Sequence, residues 1–142
     1  RDKLVTGVQT CALPIWVYFK ILHRWSLSYN AYLVLEELYH HPEGLEPAAV
    51  ADQLSIPRQT MTFVLDSLER EGRLERLPHP GDRRRKLVAL TPLGRKFAHA
   101  VVDTIFEKER AAMEVLTPEE QEQLLAMYER LQRGFEQSFF AE

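Results

Sequence analysis

The stretch His79-Pro-Gly-Asp-Arg-Arg-Arg-Lys86 sets Arg83, Arg84, Arg85 and Lys86 in consecutive positions behind a Pro-Gly pair. Cations at that density neutralise phosphates, and an arginine on a narrow projection suits the negative potential of a narrow minor groove. Asp82 cannot contact phosphate favourably; beside three guanidinium groups it is expected to brace one of them through a charge-assisted pair. Upstream, Arg58-Gln-Thr-Met-Thr-Phe63 supplies a second set. Arg58 can pair with guanine, Gln59 with adenine, Thr60 and Thr62 with base or phosphate, and Phe63 can touch a thymine methyl. The plainer reading of the first set is a solubilising loop. That of the second is ordinary surface residues, with Phe63 packed on a neighbouring hairpin.

Bond-making chemistry has no such candidates. No nucleophile–base pair, phosphate-cradling glycine loop or paired carboxylates can be picked out, so an enzyme is not expected. His40 and His41 are adjacent, point to different helix faces and have no evident third ligand; neither a metal nor a cofactor is expected. A single cysteine in 142 residues excludes a disulfide framework and a multi-thiolate zinc site within one chain. With 45% hydrophobic and 27% charged residues the chain can bury a core. Its net charge of −3 is unevenly spread: residues 57–96 hold ten Lys/Arg against five Asp/Glu, net +5, and the rest eight against sixteen, net −8. An acidic body with one basic segment is what a local phosphate-binding surface requires.

The elements that must carry these groups follow from periodicity. Trp16–Trp25 reads as a helix remnant, and Ser28–Tyr39 as a helix ended by His40, His41, Pro42 and Gly44. Ala48–Leu54 is a brief helix with Val50, Ala51 and Leu54 inward. After the tight Ser55-Ile56 connection, Pro57–Glu71 forms a helix with Met61, Val64, Leu65 and Leu68 on one face and Gly72 as its C-cap. Leu74–Leu77 and Lys86–Leu90 read as short strands, with Pro78–Arg85 a turn-rich loop between them. Thr91 caps a long helix that has Pro92 at its first position, and Thr117-Pro-Glu-Glu120 is a capping box opening the last helix. Two short helices, a tight turn and a charged hairpin predict a winged helix-turn-helix. The expected class is mainly α with a small β-hairpin: a winged helix-turn-helix plus a helical dimerisation region.

Val5–Ile15 resembles a translated sequencing-library adapter, so residues 1–15 are expected to be an assembly artefact and the first helix to be cut short. The apolar run Cys11–Phe19 is shorter than a membrane span and lacks a small-x-small cleavage site, so no membrane association is expected and the location is expected to be cytoplasmic.

Asp82-Arg-Arg84 followed by Leu87-Val-Ala-Leu-Thr-Pro-Leu-Gly94 resembles the wing signature of MarR-family transcription regulators. Leu54-Ser-Ile-Pro-Arg-Gln-Thr-Met-Thr62, Leu65-Asp-Ser-Leu-Glu-Arg-Glu-Gly72 and Leu116-Thr-Pro-Glu-Glu120 are similar to that family's recognition helix, its cap and the start of its last helix. The likeness runs over roughly residues 16–142. It implies a homodimeric repressor on a palindromic DNA operator, released by a small lipophilic or phenolic effector. It implies that Arg84 enters the minor groove, that Asp82 braces the wing, and that Arg58, Gln59, Thr60 and Thr62 contact base and phosphate. Phe63 departs from the family's usual polar or basic residue.

Residues 28–91 are then expected to form the DNA-binding domain, and 16–27 with 92–142 the dimerisation region. Phe97, Val101, Val102, Ile105, Phe106, Leu131, Phe135, Phe139 and Phe140 give the last two helices more apolar surface than one small winged domain can cover. Alternatively, Phe139 and Phe140 fold back on their own chain. Phe19, Trp25, Tyr29 and Tyr32, with Trp16, are candidate walls of an effector pocket, although most suit a core equally well. A rival reading of the whole is a winged-helix module for protein–protein interaction without specific DNA binding.

Overall fold

The computed structural model describes residues 15–140. In chain order it contains α1 (Ile15–Leu22), a 3-10 turn (His23–Trp25), α2 (Tyr29–His40), α3 (Pro47–Gln53), α4 (Arg58–Arg70), β1 (Leu74–His79), β2 (Asp82–Leu90), α5 (Pro92–Met113) and α6 (Pro118–Phe140). The expected class, helical with one antiparallel hairpin, is the observed one. Residues 1–14, and with them almost all of the adapter-like segment, lie outside the described residues. Two compact units are formed, one of residues 18–103 and one that joins residues 104–140 with 15–17.

In the 18–103 unit the Ser28 hydroxyl accepts from the Ala31 amide at 3.1 Å and caps α2. Leu22, Val34, Leu35, Leu38, Val50, Leu65, Leu68, Val88 and Val101 are the large side chains fully out of water. The inward face of α4 is the expected Met61, Val64, Leu65 and Leu68. Leu54, expected inward, is half-exposed because it is the C-cap of α3 and lies past its amphipathic stripe. Ser55 turns the chain between α3 and α4 at φ 52°, and the Ile56 amide returns to the Ala51 carbonyl at 2.9 Å.

The hairpin is longer than expected. Pairing runs from Leu74↔Leu90 through Pro78↔Lys86 to His79↔Asp82, with a register shift at Pro78/His79, so most of the anticipated Pro78–Arg85 loop is strand. In a two-stranded sheet both strands are edges: a proline is tolerated and no alternation of polarity is demanded, so the pattern in the sequence carries little signal. At its base the hairpin is tied to the link between α2 and α3 by mutual Leu45–Val88 backbone bonds of 3.0 and 2.8 Å. Gly44 makes this approach possible, since at φ +82° any Cβ would lie 3.0 Å from the Val88 carbonyl oxygen. The Thr91 hydroxyl then donates to the Gly72 carbonyl at 2.6 Å and accepts from the Gly94 amide at 3.0 Å, joining the end of α4 to the start of α5.

In the other unit the capping box is complete: Glu120 N–H to Thr117 Oγ1 at 3.2 Å, and Thr117 N–H to Glu120 Oε2 at 2.8 Å. Gln121 closes the α5–α6 turn by donating to the Met113 and Leu116 carbonyls at 2.9 and 3.1 Å. Along α6, Met127, Leu131, Phe135, Phe139 and Phe140 are all exposed, so Phe139 and Phe140 do not fold back into their own chain.

Candidate nucleic-acid interface

The outward side of α4 carries the predicted base-reading set. Gln59 and Thr62 are exposed and Thr60 half-exposed. Phe63 is 72% exposed, so it is not packed against the hairpin. The Arg58 guanidinium stands 3.3 Å from Asp52 Oδ1, a loose pair between two well-hydrated groups that a phosphate or a base edge can displace. Thr62 Oγ1 donates to the Arg58 carbonyl at 3.0 Å, which leaves its lone pairs as acceptors toward the outside.

One residue not anticipated as functional shapes the charge of this helix. Arg76, on β1, reaches Asp66 at 2.5 Å and Glu69 at 2.8 Å. The hydrogen bond it donates to Asp66, with the charge of Glu69, raises the guanidinium above its ordinary pKa. The repulsion of phosphate by two carboxylates of α4 is thereby halved, one positive charge being set against two negative ones. The sequence shows Arg76 only as one cation among ten, because its partners lie on a different element.

On the wing, β2 carries Asp82, Arg83, Arg84, Arg85 and Lys86 in succession, and the register shift places residues 83–85 between the pairs His79↔Asp82 and Pro78↔Lys86. Arg84 and Lys86 are exposed. The side chain of Arg83 lies outside the described set. Among the described residues Asp82 pairs with no guanidinium; its Oδ1 accepts from the Arg84 amide at 2.9 Å. The expected carboxylate–guanidinium pair is made instead by Glu46, at the start of α3. Glu46 receives Arg85 Nε at 3.0 Å, with the Arg85 terminal nitrogen on its other oxygen. The turn is closed by the Gly81 amide donating to His79 Nδ1 at 3.0 Å.

The aromatic candidates separate. Phe19, Tyr29 and Tyr32 gather around Tyr18, a residue not singled out in the sequence; ring centroids are 5.4 Å (Tyr18–Tyr29), 6.1 Å (Tyr18–Tyr32) and 6.1 Å (Phe19–Tyr29). Tyr32 is a core residue at 2% exposure. Trp25 stands apart, under the Arg24 guanidinium at 5.7 Å. Two surface cavities stand out, one between Tyr39, His40, Pro92, Arg95, Lys96 and His99, the other along α6 from Tyr128 to Phe140; none of the four aromatic candidates lines either. Among the described residues no group of three or more His, Cys, Asp or Glu could hold a metal ion, and no helix is long and apolar enough to cross a membrane.

The arrangement has known counterparts. Residues 25–85 match the model of the MarR family. The transcriptional regulator PecS of Dickeya dadantii is 31% identical over 116 residues, covering 80% of this chain and 70% of PecS. The Staphylococcus aureus MepR–DNA complex superposes with a TM-score of 0.72 at 26% identity, covering 82% of this chain and 85% of MepR. Streptomyces coelicolor PcaV, solved with its natural ligand, gives a TM-score of 0.63 at 26% identity over 75% of each chain. The chain belongs to the MarR family of transcriptional regulators.

Proposed function

We propose that the protein is a DNA-binding transcription regulator that acts in the cytoplasm as a homodimer on a palindromic operator, and that it represses by occupying that operator. The observation that carries this reading is the joint presentation of an outward α4 face (Arg58, Gln59, Thr60, Thr62, Phe63) and an exposed Arg84 on the wing. The similarity to MepR, whose solved complex contains DNA, supports it. Lys86 and Arg83 add phosphate contacts from the same strand. The apolar stripe on α6 supports pairing of two chains, since exposed patches of this kind mark association surfaces. Paired recognition helices would then stand about one DNA turn apart, ~34 Å. PcaV was solved with its natural ligand, which supports control by a bound effector here; its proposed class, small and lipophilic or phenolic, is the one the family resemblance implies. An effector that binds one spacing of the two recognition helices better than the other shifts the population away from the DNA-competent form.

The test is Arg84→Ala against a duplex that the wild type selects from a randomised pool. Loss of one groove arginine costs about 1–3 kcal/mol per wing, and the slope of log affinity against log salt falls by about 0.9 for each phosphate no longer neutralised. Because Arg84 is exposed, the melting temperature is unchanged. Unaltered affinity removes the wing from the mechanism; a salt-independent interaction would favour a protein-binding module.

A further inference from the structure

We infer that Glu46 is a positioning residue that straps the wing to the helix-turn-helix, and that Arg85 is the strap's other end rather than a contact to the duplex. The inference rests on the DNA-binding reading above and adds a distinction between neighbouring cations of one strand. Glu46 begins α3, yet its carboxylate makes no cap hydrogen bond to that helix. It is turned toward the hairpin and engages both strands. From β2, Arg85 donates Nε at 3.0 Å to one oxygen and a terminal nitrogen to the other, the two-pronged geometry in which an arginine fixes an angle as well as a distance. From β1, His79 Nε2 lies 3.5 Å from Glu46 Oε1. The tautomer that presents an Nε2–H there is set by the turn, because His79 Nδ1 accepts from the Gly81 amide. One carboxylate therefore gathers the turn, β1 and β2 onto the start of the helix-turn-helix. Glu46 and His79 are only about one-quarter exposed (25% and 23% for the side chains), whereas Arg84 has neither an ion pair nor a ring contact among the described residues.

The two roles open to Arg85 predict opposite signs. If Arg85 held a phosphate, removing Glu46 would release a cation and delete a repelling acid, and binding would tighten. If Glu46 positions the wing, its removal leaves the angle of Arg84 unset, and binding weakens. On the selected duplex, Glu46→Gln is expected to weaken affinity about fivefold, near the upper end for a bidentate pair at a surface, with an unchanged salt slope. Arg85→Gln gives the same loss and the same slope, and the double variant gives no further loss. The charge-swapped pair Glu46→Arg with Arg85→Glu recovers most of the affinity. In the free protein, the His79 ring resonances shift in Glu46→Gln. Tighter binding by Glu46→Gln, or a slope lowered by about 0.9 per chain in Arg85→Gln, overturns the positioning role. Unmoved His79 resonances overturn the strap itself, with or without DNA. A wild type that retains no duplex refutes the DNA-binding reading instead, a result distinct from either.

Discussion

Gly94→Ala adds one methyl group to the first turn of α5, where the surrounding backbone leaves no room for it. A Cβ at this position lies 1.8 Å from the Arg73 carbonyl oxygen, 2.7 Å from its carbon and 3.0 Å from its Cα. These are backbone atoms, so no side chain can swing aside. Ordinary contact begins at 3.4 Å, which requires a separation of about 1.6 Å between the helix start and the segment joining α4 to β1. Opening by that amount breaks the bond from the Thr91 amide to Arg73 O at 3.1 Å and the bond from the Thr91 hydroxyl to Gly72 O at 2.6 Å. Overpacking costs about 1–3 kcal/mol and each broken hydrogen bond about 1 kcal/mol, so the expected destabilisation is about 3–5 kcal/mol. That is a large share of the ~5–15 kcal/mol that holds an ordinary domain together. Urea unfolding monitored by circular dichroism should show a lower midpoint at unchanged slope, with a fall in melting temperature on the order of 10–20 °C. A control is available in the same residue type. Gly134, in the middle of α6, has nothing within 4 Å of the place a Cβ would take, so Gly134→Ala should gain about 0.5–1 kcal/mol from helix propensity. A Gly94→Ala protein as stable as wild type would refute the steric argument; a loss at Gly134 would place a second copy of the chain against that side of α6.

Thr117→Ala removes the hydroxyl that accepts from the Glu120 amide and should cost about 1 kcal/mol, read by chemical denaturation. Phe135→Asp places a charge in the exposed α6 stripe and should convert a dimer to monomer by light scattering, with duplex affinity falling in parallel. The His41 imidazole donates to the Glu43 carboxylate at 2.8 Å, a bond that raises the His41 pKa from 6.5 and lowers that of Glu43 from 4.5. The stabilisation is therefore lost as pH rises through the elevated His41 value, and lost again as pH falls through the depressed Glu43 value. The difference in urea midpoint between wild type and His41→Gln should be largest between those limits and vanish above and below them, and a flat difference would contradict the pairing.

Much of this fold is local and therefore legible in the chain. The α4 stripe at Met61, Val64, Leu65 and Leu68, the Thr91-Pro92 start and the Thr117–Glu120 box depend on residues within two turns of one another, and each is present where its spacing predicts it. What the chain does not disclose is non-local. Glu46 and Arg85 are 39 residues apart, and Arg76 and Asp66 are 10 apart on different elements. Spacing says nothing about such pairs, so Asp82 has the look of a natural partner for a wing arginine when it serves the Arg84 amide. The wing strands read short for a related reason: beyond the buried base at Leu74, Val88, Ala89 and Leu90, the outer part of the ribbon is mostly in water and has no hydropathy rhythm. In the eight-residue α1, Phe19 suits a pocket wall by type, yet Tyr18 is the buried ring and Phe19 is mostly in water, because so short a helix leaves its rotation undetermined by pattern.

A wet phenyl ring at position 63, set among polar neighbours on the outer side of α4, bears on the thermodynamics of recognition as well as its geometry. Contacts to phosphate fade as ions compete for them, but the transfer of an aromatic ring from water onto a thymine methyl does not. Such a ring leaves a residue of affinity that persists when electrolyte has erased the rest. If Phe63 meets a thymine methyl in this way, complex formation also lowers the heat capacity, and the preference for thymine holds as ionic strength climbs.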